Sequence, residues 1–304
     1  MVDSVMRMEL ERRIDRLTRI WSIWLTTGLC VLALVPRVHA QAPQQPLQTQ
    51  VPETVGAGVV QFDVGGDYGR DRTFSASGLT GNLWRVPLLT MTIGLGSIVD
   101  LQFTGGLHDH LAITSRQPAP LASQIVGHAN ATTDFDDLVV STKVRLLRDA
   151  RGSRRPALSL LFGTELPNAK PYSGLGTSTT NVALSGLAAT DVGPVRLIVN
   201  LGLGVLGDPV SPHHHQNVLT YGAAITRQLS RRLAVMGDVA GRIDLGAAPP
   251  PPGTEDTGTL RLGARYERWR GWWSGAVTVG LTSRDAAVGV LGAYTFALHL
   301  FRVP

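Results

Sequence analysis

The chain of 304 residues is rich in glycine and poor in charge, because it contains 34 Gly and only 17% of its residues are charged. Soluble domains average about 25% charged residues and roughly 7% Gly. A hydrophobic content of 43% with a net charge of +5 excludes a disordered chain, and a single Cys excludes an internal disulfide scaffold. The basic residues are scattered rather than clustered, so we expect no nucleic-acid partner.

The first 40 residues have the pattern of a secretory signal peptide. Five Arg between positions 7 and 19 precede an apolar run at 20–35, and Val38-His39-Ala40 then precedes Gln41. We predict a signal peptide at 1–40 that is cleaved near Ala40. The alternative is a retained membrane anchor, but a run of 16 residues is short of the roughly 20 that a spanning helix needs. The Gln- and Pro-rich residues that follow predict a flexible periplasmic leader at 41–54.

The remainder of the chain alternates between apolar and polar or small residues with a period of two. In 195–205, for example, the apolar odd-numbered positions alternate with Arg196, Asn200, Gly202 and Gly204. Successive side chains of a strand point to opposite faces, so such segments predict strands. We predict twelve, at 55–68, 84–96, 98–113, 137–148, 156–166, 178–190, 194–206, 217–229, 232–244, 258–268, 272–282 and 286–301.

The predicted connections alternate in length. Long loops at 69–83, 114–136, 167–177, 207–216 and 245–257 are separated by shorter turns, except that the last loop, 283–285, is also short. Outer-membrane barrels have short periplasmic turns and longer extracellular loops. The sequence therefore predicts an all-β fold, a closed antiparallel transmembrane barrel of about twelve strands at 55–304, located in the outer membrane of a Gram-negative cell. Trp84, Trp269, Trp272 and Trp273 lie near strand ends, where an aromatic girdle would form.

Charged residues on the predicted inward faces are the candidates for lining the lumen. They are Lys143, Arg145, Arg196, Asp238, Arg242, Arg261, Arg265 and Glu267. Six basic and two acidic groups predict a mildly anion-favouring lumen. Alternatively, these side chains pair across strands and plug the barrel, since twelve strands leave limited interior space.

Other polar motifs carry weaker indications of chemistry. His213, His214 and His215 are weak metal candidates, but consecutive residues of an extended loop point in different directions, so we predict no metal and no cofactor. His108 and His110 share one strand face and are more typical of a polar rim. Ser185 and Ser274 have no His on a neighbouring predicted strand, and the chain has no Gly-x-Ser-x-Gly elbow. We therefore do not expect an enzyme.

Several segments between Val86 and Phe296 also carry a family resemblance. They are PLLTMTIGL at 87–95, VDLQ at 99–102, DLVVSTKVR at 137–145, PALSL at 156–160, ELP at 165–167, GLGTST at 174–179, VGPVRLIVNLG at 192–202 and GAYTF at 292–296. In this order they resemble the outer-membrane barrel family named for the MetA pathway of phenol degradation. The resemblance implies a channel or transporter for small, often aromatic compounds. It implies no particular substrate or site residue.

The C-terminus departs from the pattern of that family. Outer-membrane barrels usually end on an aromatic residue that the barrel-assembly machinery reads, and by the family pattern this residue is Phe296. Because the chain continues to Pro304, either Phe301 takes that role or the last strand is extended.

Three functions remain open from the sequence. The first is an outer-membrane channel or transporter for small organic compounds, aromatic or anionic ones included. The second is a plugged structural or ligand-binding barrel that acts through its long loops, and the third, less favoured, is an outer-membrane hydrolase. The expected partners are the outer-membrane lipid bilayer, the barrel-assembly machinery and a small-molecule solute.

Overall fold

The computed structural model describes residues 47–125, 129–148, 155–211 and 213–301. The predicted signal peptide and its cleavage site lie outside these residues. Within them the chain forms twelve barrel strands, two of which are interrupted. The strands are β1 (Val59–Phe74), β2 (Leu79–Gly94), β3a and β3b (Val99–Gly106, Asp109–Arg116), β4a and β4b (Ala131–Asp134, Leu138–Leu147), β5 (Ala157–Leu166), β6 (Asn181–Val192), β7 (Val195–Gly207), β8 (His215–Gln228), β9 (Leu233–Asp244), β10 (Thr257–Arg268), β11 (Gly271–Gly280) and β12 (Val288–His299).

Each strand pairs antiparallel with the next in sequence, and the last pairs with the first. β1 aligns with β12 from Val59 opposite His299 to Arg70 opposite Val288. β2 pairs with β3a along one half and with β3b along the other, while β4b pairs with β3a and β4a with β3b. The sheet therefore closes on itself, which confirms the predicted closed antiparallel barrel.

The outer face of the barrel is apolar, as lipid contact requires. Exposed side chains alternate with buried or half-buried ones along the strands, and the exposed set includes Leu160, Phe162, Leu184, Leu197, Val199, Leu201, Leu203, Ile225, Leu260, Leu262, Val277, Val279, Val288 and Val290. In water, such a surface would far exceed the apolar patches of soluble proteins. In a bilayer, it is compatible with a sheet whose backbone groups are all paired by closure.

The two ends of the barrel differ in their connections. One, the short-turn end, has the connections 95–98, 148–156, 193–194, 229–232 and 269–270 together with the start of β1 and the end of β12. The other, the long-loop end, has 75–78, 117–130, 167–180, 208–214, 245–256 and 281–287. No helix in the described ranges is long and apolar enough to cross a membrane.

Two predicted connections at the long-loop end are wrong. The long loop at 69–83 is a four-residue turn at 75–78, in which Gly78 adopts a φ of 74°. β1 and β2 continue past their apolar stretches as polar strands with register shifts, so backbone pairing persists where hydrophobic alternation stops. The last connection spans 281–287 rather than 283–285.

The aromatic residues follow the predicted girdle with one exception. Trp84, Trp269 and Trp273 are 51%, 68% and 46% exposed, whereas Trp272 is 9% exposed and points into the barrel. Its strand position has the opposite parity from the lipid-facing Trp273, so its inclusion in the girdle is wrong.

At the C-terminus, β12 extends three residues beyond Phe296, whose ring stacks on that of Phe62 with the ring centres 5.3 Å apart. The last strand is therefore extended.

Candidate functional site

All eight charged residues predicted to line the lumen lie on the strand faces opposite the exposed apolar side chains. Inward-facing charges that the sequence interpretation omitted accompany them, namely Asp63, Asp67, Arg72, Arg85, Asp100, Asp109 and Glu165. Most of these additions are acidic. With them, the named inward-facing charges are eight basic and seven acidic, so the excess of basic groups is smaller than the six to two found from the sequence.

The chain preceding β1 crosses the inside of the barrel. Residues 47–58 contact inward side chains of strands on several sides of the wall, and Thr49, Thr54 and Val55 are 2%, 4% and 0% exposed. We call residues 47–55 the inner segment. The sequence interpretation places 47–54 in a flexible periplasmic leader, whereas these residues are held in the lumen by hydrogen bonds.

A fully buried ion pair holds the inner segment near the short-turn end. Lys143 Nζ lies 3.7 Å from Asp100 Oδ2, and both side chains are 0% exposed. Lys143 Nζ also donates to the Val51 carbonyl oxygen at 3.2 Å, and the Val55 N–H donates to Asp100 at 3.1 Å. Each charge of the pair therefore also satisfies a backbone group of the inner segment, as a buried charge requires.

Arg145, on the same strand as Lys143, and Arg196, on β7, hold the same region. Arg145 Nη1 donates to Thr54 Oγ1 at 2.8 Å. Arg196 forms ion pairs with Glu53 and with Asp191, the latter at 3.0 Å. These two predicted lumen residues therefore contact the inner segment.

At mid-barrel, the inner segment is held by Asp238 and Asn200. Asp238 Oδ2 accepts hydrogen bonds from the N–H groups of Thr49 at 2.7 Å and Gln48 at 3.3 Å. The Asn200 side chain accepts from the Gln50 N–H at 3.0 Å and donates to the Gln50 carbonyl oxygen at 3.1 Å. Two inward polar side chains thus satisfy backbone groups that would otherwise be unpaired in the lumen.

The remaining predicted residues have separate partners. Arg261 contacts Asp238 at 3.5 Å and the Gln48 side chain. Arg242 donates to the carbonyl oxygens of Gly253 and Glu255 at 2.8 and 3.0 Å, so it binds a loop of the long-loop end. Arg265 lies 5.2 Å from the centre of the Trp272 ring. Glu267 is half-buried on the inward face near the short-turn end.

The inner segment leaves several cavities inside the barrel. One of about 340 Å³ is lined by Gln48, Thr49, Gln50, Ser185 and Asn200 among others, and another of about 310 Å³ continues along Ser185 and Glu165. A third, of about 390 Å³, lies toward the long-loop end and includes Arg85, Asp109 and Arg242 in its lining. We call this third cavity the upper cavity. Each is of a size that accommodates a small organic molecule.

The connections at the long-loop end pack on one another above the upper cavity. Ser77 Oγ donates to the Gly174 carbonyl oxygen at 2.7 Å, and Ser75 Oγ donates to Glu255 Oε2 at 2.8 Å. Beneath them, an apolar cluster joins inward strand residues to loop residues; its members are Phe74, Leu79, Leu83, Leu111, Ile113, Ile125 and Leu175. This end is therefore partly covered.

The other predicted motifs do not form a site within the described residues. His213 and His214 lie in the loop before β8, and His215 is its first residue; all three are exposed. No group of three or more His, Cys, Asp or Glu in the described ranges could hold a metal ion. Ser185 Oγ lies 3.4 Å from Thr220 Oγ1. Ser274 lines a cavity beside Asp63 and Thr295.

The sequence interpretation missed the inner segment and the Arg85 region for different reasons. Residues 47–58 have no alternating pattern, and their contacts use backbone groups, which leave no sequence signal. Arg85 and Asp67 flank the falsely predicted loop at 69–83. A signal for this pair was available in the polar alternation of Asp63, Asp67 and Arg85 at the ends of two predicted strands.

Comparison with solved structures shows a similar fold. The COG4313 outer membrane channel from Pseudomonas putida F1 has a TM-score of 0.55 at 11% identity over 86% of this chain and 99% of that chain. The autotransporter NalP translocator domain from Neisseria meningitidis gives 0.44 at 12% identity over 79% and 87% of the two chains. The Pseudomonas putida toluene transporter TodX gives 0.41 at 8% identity over 87% and 95%. At such identities the first likeness shows the barrel fold alone.

No protein-family model matches the chain, and no curated protein matches it. Membership of the family named for the MetA pathway of phenol degradation therefore stays a prediction. The closed antiparallel barrel that this resemblance implies is the fold observed.

Proposed function

We propose that the protein is an outer-membrane channel for small organic compounds, with its short-turn end in the periplasm and its long-loop end outside the cell. The observation that carries the proposal is the series of cavities between the inner segment and the barrel wall, enclosed by an apolar outer surface. A solute could pass between the inner segment and the wall without meeting the lipid core. A solved barrel of similar fold is named an outer membrane channel, which supports the proposal.

The inner segment makes the lumen narrow rather than freely open. Lys143, Arg145, Arg196, Asp238 and Arg261 all contact it. Most of the predicted lumen charges thus hold this segment, and they are not available to contact a solute at the same time. We therefore propose selective passage of small solutes rather than the broad diffusion of a wide porin.

The alternative is a plugged barrel that binds ligands through its loops. It is favoured by the packed loops of the long-loop end and by the many hydrogen bonds that hold the inner segment. Under this alternative, the cavities are closed spaces that no solute crosses.

Planar-bilayer conductance separates the two functions. The full chain would be expressed in a Gram-negative host and purified from its outer membrane, beside a variant that lacks residues 47–55. We expect small, steady conductance for the wild type and a larger one for the variant, because the deletion empties the lumen. The plugged barrel is favoured if the wild type carries no current although it migrates as a folded barrel on a gel, while the deletion variant does carry a current.

A further inference from the structure

The wall of the upper cavity contains an acidic cluster around a single arginine. Asp67 accepts two hydrogen bonds from Arg85, at 3.0 Å from Nε and 2.5 Å from Nη2. Asp136 lies 3.7 Å from Arg85 Nη1. Asp109 aligns directly with Arg85 on the neighbouring strand and with Asp134 on the other side. One guanidinium therefore faces several carboxylates.

Most carboxylates of this cluster accept hydrogen bonds, but among the described residues Asp109 Oδ1 accepts none. Asp136 accepts from the Asp137 N–H at 3.0 Å, and Asp134 accepts from the Phe135 and Lys170 N–H groups at 2.8 and 2.7 Å. Asp109 is only 6% exposed, lines the upper cavity, and its Oδ1 has no hydrogen-bond partner in the described part of the chain. A buried carboxylate without a partner is costly unless it takes a proton or binds a cation.

The other cationic side chains of the upper cavity already have partners. Arg72 pairs with Asp285 at 3.2 Å, Arg242 binds two loop carbonyl oxygens, and Arg261 contacts Asp238 and Gln48. The lining includes four Arg and six acidic residues, which gives a formal balance of −2. The charge left without a partner in the upper cavity is therefore negative.

We propose that Asp109, together with Asp136, forms a subsite in the upper cavity for the ammonium group of a small organic amine. The inference rests on the proposed channel function and adds to it a class of solute. The described residues offer no metal cluster, whereas a cavity of about 390 Å³ has room for an organic body beside the charged group. An ammonium group would supply the hydrogen-bond donor that Asp109 Oδ1 lacks, and a positive charge in addition to Arg85, which Asp67 and Asp136 share. This assignment differs from the anion preference predicted from the sequence, which stays a prediction for the rest of the lumen.

Block of the ionic current by matched probes tests the subsite. Benzylammonium and the neutral benzyl alcohol share a ring and a side arm but differ in charge. We expect benzylammonium to block the wild-type channel at low concentration and benzyl alcohol to block it weakly. Because Asp109→Asn keeps the size but removes the charge, it should raise the half-blocking concentration of benzylammonium roughly tenfold.

Asp71→Asn is the matched control, because Asp71 is an exposed carboxylate of β1 that pairs with Arg70. Its block by benzylammonium should equal that of the wild type. Asp136→Asn is the second test variant and should also weaken the block. If Asp109→Asn and Asp136→Asn both conduct and retain the wild-type block, the subsite is wrong and the channel function stands. A wild-type protein that carries no current contradicts the channel function itself. Calorimetry would then test the subsite separately: binding of benzylammonium to the wild type that is lost in Asp109→Asn would still support it.

Discussion

The buried pair of Lys143 and Asp100 should be the most sensitive single interaction of the inner segment. Both side chains are fully buried, and the charged atoms lie 3.7 Å apart. At an effective dielectric constant of about 20, their attraction is about 4 kcal/mol. Removing one partner from a buried pair costs about 3–5 kcal/mol, because the other charge is left uncompensated. We therefore expect Lys143→Met to lower the free energy of unfolding by about that amount.

The loss should depend on the partner charge. Asp100 keeps the hydrogen bond from the Val55 N–H after the substitution, but its negative charge has lost the nearest cation. In the double variant Asp100→Asn/Lys143→Met that charge is also removed, so the double variant should be more stable than Lys143→Met alone. Such non-additivity is the signature of two residues that interact directly.

Urea unfolding in detergent micelles, followed by tryptophan fluorescence, measures the effect. Lys170→Met is the matched control, because Lys170 is an exposed lysine on a connection at the long-loop end; its effect should stay within about 0.5 kcal/mol. If Lys143→Met unfolds at the same urea concentration as Lys170→Met, the buried pair does not hold the inner segment as described.

Three further variants test other parts of the structure. Trp272→Ala should lower the free energy of unfolding by about 3–5 kcal/mol, because it leaves a cavity beside Arg265. The lipid-facing Trp273→Ala should lower it by less, and urea titration of the two variants compares them. Gly94→Ala should displace the chain where the inner segment meets β1, because its Cβ would overlap the Gly56 carbonyl oxygen and crowd Val55, whereas Gly96→Ala has open space. Limited proteolysis should therefore cut the Gly94→Ala variant faster than the Gly96→Ala variant. Asp238→Asn should raise the bilayer conductance, since its amide holds the Thr49 N–H less strongly than the carboxylate does; an unchanged current would contradict that role.

The barrel itself could be predicted because the membrane imposes a simple rule on the sequence. A strand that faces lipid must present apolar side chains at every second position, so β7 and β10 show their two faces directly in the alternation of 195–205 and 259–267. The same rule placed Lys143, Asp238 and Arg261 on the inward face. Their parity depends only on their own strand and does not require any knowledge of their partners.

The contents of the lumen could not be predicted in this way. The inner segment binds through N–H and carbonyl groups at Thr49, Gln50 and Val51, which every residue type possesses. The acidic cluster depends on register between strands, since Asp109 meets Arg85 and Asp134 only after three strands are aligned. Register of this kind is set by the closed sheet, and a single strand does not record it. For the same reason, the charges assigned from single strands omit Arg72, Arg85 and five acidic groups that also face inward.

In the proposed function, solutes pass through the cavities inside the barrel. The most direct test is thiol modification of two adjacent β6 positions. Ser185 faces inward and lines two cavities, whereas Leu184 faces lipid and is 53% exposed. The only native cysteine, Cys30, lies in the predicted signal peptide, so Ser185→Cys and Leu184→Cys would each carry one reactive thiol in the processed protein. A bulky methanethiosulfonate reagent should block the single-channel current of Ser185→Cys and leave that of Leu184→Cys unchanged. Equal currents before and after labelling of Ser185→Cys, with labelling confirmed by mass, would contradict passage through the lumen.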